Sequence, residues 1–244
     1  MLDFLIEEKF YVHLVFELLA AIAGLVYLWK SKKVKPEIRI FIYYLCYIVL
    51  IEFYALLPIY AWLRDYDVLS FYRDSPFRYN HWSANLNFVI YTLCFSQIFI
   101  RSLSSKFKRK ILFYALGGIV VFSFFRFVTH PDVFFYYSDP YVSALQTFFV
   151  FLCVCFYYFE ILRSDKVIYF YKDLKFFISV SIVLWSLLKT PLDIYSSFSN
   201  LQNEAYWRLD IEILRYLNVF LYSMYILGFY SDYWFKKYGL QEKI

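Results

Sequence analysis

Glycine is scarce: the 244-residue chain holds 5, alongside 6 prolines, 4 cysteines and 3 histidines. So few glycines leave no glycine-rich phosphate loop, and neither a nucleophile elbow nor a Ser/His/Asp grouping is present. His13, His81 and His130 share no i,i+4 pair, so the ligand spacing of a metal site is missing and no metal is expected. The four cysteines, Cys46, Cys94, Cys153 and Cys155, all fall inside apolar segments. Buried there they behave as small apolar residues, which excludes a disulfide framework. Charge is thin as well, at 18% of residues, against roughly 25% in soluble domains. On these grounds neither catalysis nor a cofactor is expected.

What remains is apolar. Hydrophobic residues make up 62% and aromatics 26%, with 30 Phe and 27 Tyr, and the mean hydropathy is +0.51. The aromatics run through the apolar segments instead of gathering at their ends, as a lipid-facing surface built from Phe would. Seven segments tile the chain, at about 10–29, 38–62, 82–101, 111–129, 140–162, 176–196 and 209–231. About 20 apolar residues at 1.5 Å rise cross a hydrocarbon core of roughly 30 Å. The runs lack period-2 alternation, so they read as helices and not as barrel strands. The fold class is therefore an all-α integral membrane protein, a single seven-helix transmembrane domain over residues 1–244. Lys35-Pro36, Ser75-Pro76, His130-Pro131 and Asp139-Pro140 punctuate the connections, while Pro58 and Pro191 lie inside spans two and six and should loosen their last turns.

The first span is not expected to be a signal peptide. Asp3, Glu7 and Glu8 outweigh Lys9 ahead of it, and Glu17 interrupts its apolar middle. Short-loop cations set the orientation. Lys30, Lys32, Lys33, Lys35, Arg39, Arg101, Lys106, Lys108, Arg109, Lys110, Arg163, Lys166, Lys172, Lys175, Lys236, Lys237 and Lys243 gather on one side; Lys9, Arg64, Arg73, Arg78 and Arg208 lie on the other. The N-terminus is thus expected outside and the C-terminus in the cytoplasm, in a plasma or cytoplasmic membrane. The net charge of +5 reflects these topogenic loops near anionic headgroups and gives no reason to expect nucleic acid.

Spans one to three echo spans five to seven. Leu86-Asn87-Phe88-Val89-Ile90-Tyr91-Thr92 resembles Leu217-Asn218-Val219-Phe220-Leu221-Tyr222-Ser223, and Ile48-Val49-Leu50 with Pro58 resembles Ile182-Val183-Leu184 with Pro191. Tyr11-Val12 matches Tyr141-Val142 at a similar offset. A parallel three-plus-one-plus-three plan would place a substrate site between the repeats near the midplane. The plan resembles that of SWEET-type sugar carriers in helix count alone, because their typical Pro-Gln dipeptide is absent. The paired histidines that seven-helix hydrolases related to ceramidases carry on the last helix are absent too. Microbial rhodopsins hold their lysine on the seventh helix, whereas Lys189 falls on the sixth.

Charges inside the spans need a reason, since each costs about 2.5–3.5 kcal/mol at a helix centre on insertion scales. Glu17 is expected about 11–12 Å, and Glu52 about 15 Å, below the outer surface, with Lys189 at similar depth and Arg215 about 9 Å down. Arg126 lies closer to the surface and reads as snorkelling. Spacing groups them further. Glu212, Arg215, Asn218, Tyr222 and Tyr225 form one stripe, as do Asn87 with Tyr91, Trp185 with Lys189 and Asp193, and His13 with Glu17. Ala20-xxx-Gly24 reads as close helix packing. The candidate ligand site is therefore Glu17, Glu52, Asn87, Tyr91, Trp185, Lys189, Arg215, Asn218 and Tyr222, lining a polar cavity in the outer half. The competing reading makes the same charges structural ion pairs, with Glu17 or Glu52 bridged to Lys189 or Arg215.

Three functions fit these features. One is a carrier or channel for a small polar solute. Another is a receptor-like sensor that signals to a separate cytoplasmic protein docked on the basic inner loops. The last is a ligand-free accessory subunit. In each the constant partner is the lipid bilayer.

Overall fold

The computed structural model describes residues 10–31, 33–164, 167, 169–198 and 204–238. Among the described residues the elements are helices and turns, with no strand. The helices are α1 (Phe10–Lys30), α2 (Pro36–Leu63), α3 (His81–Ile100), α4 (Lys106–Thr129), the short α5 (Pro131–Tyr136), α6 (Pro140–Leu162), α7 (Leu174–Phe198) and α8 (Glu204–Lys237). Pro36, Pro131 and Pro140 each stand first in a helix, where a missing N–H removes no bond. The helices α2 and α7 continue through Pro58 and Pro191.

Six stretches are long and apolar enough to cross a membrane: Tyr11–Lys30, Pro36–Leu63, His81–Ile100, Lys106–Thr129, Pro140–Leu162 and Leu174–Leu192. The chain is an all-α, multi-pass membrane protein whose surroundings are a lipid bilayer. Helix α4 makes the point locally, since Tyr114 is 80% and Val128 78% exposed. Such a face would drive association in water but is matched by acyl chains. Helix α8 is not among the six. It has 34 residues and is about 51 Å long at 1.5 Å per residue. Arg208, Asp210, Glu212 and Arg215 near one end and Asp232, Lys236 and Lys237 near the other break its apolar run.

Packing sorts the chain into two compact units. The central unit is Cys46–Tyr157, which takes in most of α2, then α3, α4, α5 and most of α6. The terminal unit holds the described residues of Phe10–Leu45 and Tyr158–Ile244: α1, the start of α2, the end of α6, α7 and α8.

In the central unit, the connection after α2 has to reverse direction without glycine. Asp65, Tyr66 and Leu69 adopt φ of 50°, 61° and 73°, a left-handed region that costs non-glycine residues roughly 1–2 kcal/mol each. The Tyr66 N–H reaches back to the Ala61 carbonyl at 2.8 Å, and this bond closes the helix end. Burial of the Tyr66 ring with Ala61 and Tyr72, beside Tyr54 and Phe77, offsets the strain. Arg73 and Arg78 lie over the Tyr66 ring, 5.7 and 5.4 Å from its centroid. Burial, and then a hydrogen bond to Tyr54, pushes the Tyr72 phenol up to about 12.

At the same end, Asn85 of α3 ties the connection between α4 and α6. Its amide donates to the carbonyls of Val133, Phe134 and Tyr137 at 3.3, 2.9 and 2.8 Å, and it accepts from the Asp139 N–H at 3.2 Å. Asp139 caps α6 through Oδ1, which accepts from the N–H groups of Tyr141 and Val142. Its Oδ2 accepts from Arg126 Nη2 at 2.9 Å and Nε at 3.1 Å. Arg126 therefore does more than snorkel: its guanidinium meets a carboxylate that is 1% exposed.

In the terminal unit, α8 packs on both α1 and α7. Glu17 meets Tyr222, Gly24 lies against Phe229, and Tyr27 bonds Asp232. The constant register of these pairs means that α1 and α8 run in the same direction. Toward α7 the order reverses, with Lys189 beside Asp210 and Phe177 beside Gly228, so that pair is antiparallel. Two glycines set the approach distances. A Cβ on Gly228 would lie 2.7 Å from Leu174 and 2.9 Å from Phe177, and one on Gly24 would lie 3.2 Å from Ile42 and Phe229. The expected close packing at Ala20 and Gly24 is present, with Ala20 fully buried.

Candidate functional site

Three layers stack along the α1–α8 seam. The end that carries Lys30 and Lys236 is called the basic end. At the far end, Lys189 Nζ of α7 lies 2.9 Å from Asp210 Oδ1 and 3.2 Å from Oδ2 on α8. His13 on α1 lies within electrostatic reach of Arg215. One turn further, Glu17 and Tyr222 share a hydrogen bond, with Tyr44 and Tyr225 beside them. Glu17 is 4% exposed. A carboxylate at this depth needs a donor such as the Tyr222 phenol, because no water competes for it.

The middle layer is aromatic. Phe41 meets the Tyr225 ring edge-on at 4.9 Å and stacks on Phe229 at 5.9 Å, while Tyr27 contacts Phe229 at 5.4 Å. Phe41 is fully buried and Tyr225 is 1% exposed. Helical spacing on α8 explains the layering: positions 215, 222, 225, 229, 232 and 236 turn toward the same neighbours, and the sequence places polar, aromatic and ionic groups there in order.

The third layer closes the basic end. The Tyr27 phenol donates to Asp232 Oδ2 at 2.5 Å, and Lys236 Nζ donates to the same oxygen at 2.6 Å and to Tyr27 Oη at 2.9 Å. Desolvation works against the Lys236 charge, yet the bonds to Asp232 and Tyr27 outweigh it and hold the amine above the ordinary lysine range. Lys175 of α7 bridges to Glu37 of α2 at 3.3 Å, both buried.

The nine candidate residues divide between the units. Glu17, Trp185, Lys189, Arg215, Asn218 and Tyr222 belong to the terminal unit, and Glu52, Asn87 and Tyr91 to the central one. Of the first group, Glu17 and Tyr222 are bonded to each other, Trp185 and Asn218 are half-buried, and Lys189 bonds Asp210. In the second, the Tyr91 ring sits 4.5 Å from Phe95 within α3. The Asp193 side chain, placed on the Lys189 face by spacing, lies outside the described residues. Asp210 was missed because it opens the last span and reads as an interfacial charge. The Tyr27–Asp232–Lys236 cluster was missed because a tyrosine within an apolar run carries no signal, although Asp232 and Lys236 are spaced i,i+4.

No known family model, curated protein or solved structure matches this chain.

Proposed function

We propose that this is a seven-span carrier for a small charged or zwitterionic solute, with its N-terminus outside and its site in the outer half of the terminal unit. Support for the seventh span comes from register. Helix α8 follows α1 in parallel from Arg215 to Lys236, the length of a spanning helix, so it shares the depth of α1 in the bilayer. Two parallel spans at the chain ends require an odd number of crossings, and the six apolar stretches together with α8 make seven. The excess of Lys and Arg at the basic end supports a cytoplasmic position for that end. The three-plus-one-plus-three plan gains nothing from the packing, because α8 is joined both to α1 and to its neighbour α7.

The observation that carries the solute reading is the layering of the seam. Charged and hydroxyl groups of both signs, Glu17, Tyr222, His13 and Arg215, lie on the outer side of an aromatic layer. A carboxylate and a guanidinium about two helical turns apart along one seam suit a solute that bears an amine and an acid. Mere ties between helices have no need of an apolar layer between two polar ones. The accessory-subunit reading keeps one specific support, since Lys189 already has Asp210 as partner.

The test uses a single cysteine at Ala21, one turn below Glu17, in a chain whose four native cysteines are replaced. It is reconstituted and probed with a charged methanethiosulfonate reagent against a panel of amino acids and organic acids. A carrier gives labelling from both sides, suppressed by the same solute. Labelling from outside alone points to the sensor, and its failure from both sides leaves the accessory subunit.

A further inference from the structure

We propose that the basic end of the α1–α8 seam is the cytoplasmic closure of this site, formed by Tyr27, Asp232 and Lys236 with the Glu37–Lys175 bridge beside them. The inference rests on the carrier reading and deepens it by naming what shuts the site from within. Four observations meet here. Both polar clusters join different helices, α1 to α8 and α2 to α7, at one end of the unit. All of their members but Lys236 are well enclosed, with Tyr27 at 3%, Lys175 at 5%, and Glu37 and Asp232 at 7% exposure. Directly above them the Phe41, Tyr225 and Phe229 rings fill the seam. At that level Gly24 lets α1 approach so closely that an added methyl would meet Ile42 and Phe229 at 3.2 Å, which leaves no width for a file of water.

Chemistry separates these groups from the polar pairs nearer the midplane. A pair deep in hydrocarbon cannot part without stranding a charge. Lys236 is already half in water, and Asp232, Glu37 and Lys175 lie within a few residues of their helix ends. On opening, each would exchange its partner for water, so the closure can break and re-form repeatedly. Asp232 Oδ2 accepts from both Tyr27 and Lys236, so the loss of this one carboxylate removes two of the cluster's three bonds together and leaves only Lys236 to Tyr27. Parting α1 and α2 from α7 and α8 at this end would break the Tyr27 bonds to Asp232 and Lys236 and the Glu37–Lys175 bridge, and would unstack the aromatic layer. The Glu17–Tyr222 level would then face the cytoplasm.

The experiment reads access and needs no solute. The Ala21→Cys chain described above, reconstituted in sealed vesicles of known orientation, is labelled separately from each side, with and without Asp232→Asn and Glu37→Gln together. The expected result is a rise of about tenfold in the cytoplasmic labelling rate, with the outside rate unchanged or lower, as for a shifted two-state equilibrium. An unchanged cytoplasmic rate overturns the closure. So does an equal rise from both sides, which is general loosening. If the double variant is poorly folded, Tyr27→Phe keeps the ring, removes both hydrogen bonds of its hydroxyl, and should raise the cytoplasmic rate by about two- to threefold; no change there counts equally against the closure. Cytoplasmic access that rises while no amino acid or organic acid ever protects Ala21→Cys leaves the closure standing and removes the carrier reading. Protection from outside with a flat cytoplasmic rate does the opposite.

Discussion

Asp139 does two jobs with two oxygens, and substitution separates them. Its Oδ1 caps α6 and its Oδ2 holds Arg126, in a position 1% exposed. Asp139→Ala removes both. Loss of the cap costs about 1 kcal/mol. Loss of a charge-assisted hydrogen bond costs about 1.5–3 kcal/mol, short of the 3–5 kcal/mol of a fully buried pair because the Arg126 side chain is 22% exposed and can find water. The total is about 2.5–4 kcal/mol. Asp139→Asn keeps one oxygen for the cap but sets an NH2 group, a donor, where Oδ2 accepts from Arg126, so it should regain the cap alone and cost about 1.5–3 kcal/mol. Reversible unfolding in mixed micelles, followed by far-ultraviolet circular dichroism, measures both. With Arg126→Gln in a double-mutant cycle, the Asp139→Ala and Arg126→Gln effects should fall short of additivity by at least about 1 kcal/mol. If Asn is harmless, or if the cycle is additive, then Asp139 acts through the cap or the backbone alone and the ion pair contributes nothing.

The remaining predictions bear on the seam and the lipid face. Gly228→Ala should destabilise by about 1–3 kcal/mol through overpacking against Phe177 and Leu174, read in the same unfolding assay. Gly117→Ala, where nothing lies within 4 Å of an added Cβ, should be neutral or stabilising by up to about 1 kcal/mol from helix propensity; a large loss would mean that this face of α4 is not against lipid. Lys189→Met should be rescued in part by Asp210→Asn, and additivity of the two would show that they are not partners in the membrane. Glu17→Gln should cost less than Glu17→Ala in the same assay, because the amide oxygen still accepts from Tyr222. Equal costs would count against that bond.

The helices were legible because hydrocarbon imposes one rule on every span: apolar length with all backbone groups paired internally. That rule located α1 to α4, α6 and α7 within a few residues but not the short α5, and the prolines at positions 36, 131 and 140, which read as punctuation between spans, each stand first in a helix. It also located α8, but it did not anticipate that the ends of this helix carry too much charge to meet the same apolar standard. The polar groups were legible as a set and not as pairs. Spacing on one helix puts Arg215, Asn218 and Tyr222 on a stripe, yet it carries no information on which neighbour faces that stripe. So Lys189 was matched to Glu17 or Glu52, while the fold gives it Asp210. Tyr27 and Tyr222 were harder still. Among 27 tyrosines nothing in the sequence distinguishes a phenol that bonds a buried carboxylate from one that packs against lipid.

Whether α8 crosses the bilayer beside α1 is read most directly by two topology reporters in the full chain. One is fused after Ile244 and the other inserted next to Ser75, in the loop after α2. Seven crossings with the N-terminus outside predict a cytoplasmic signal at Ile244 and an exterior signal at Ser75. Exterior signals at both positions would leave α8 out of the membrane, and with it the parallel seam, the layered site and its closure.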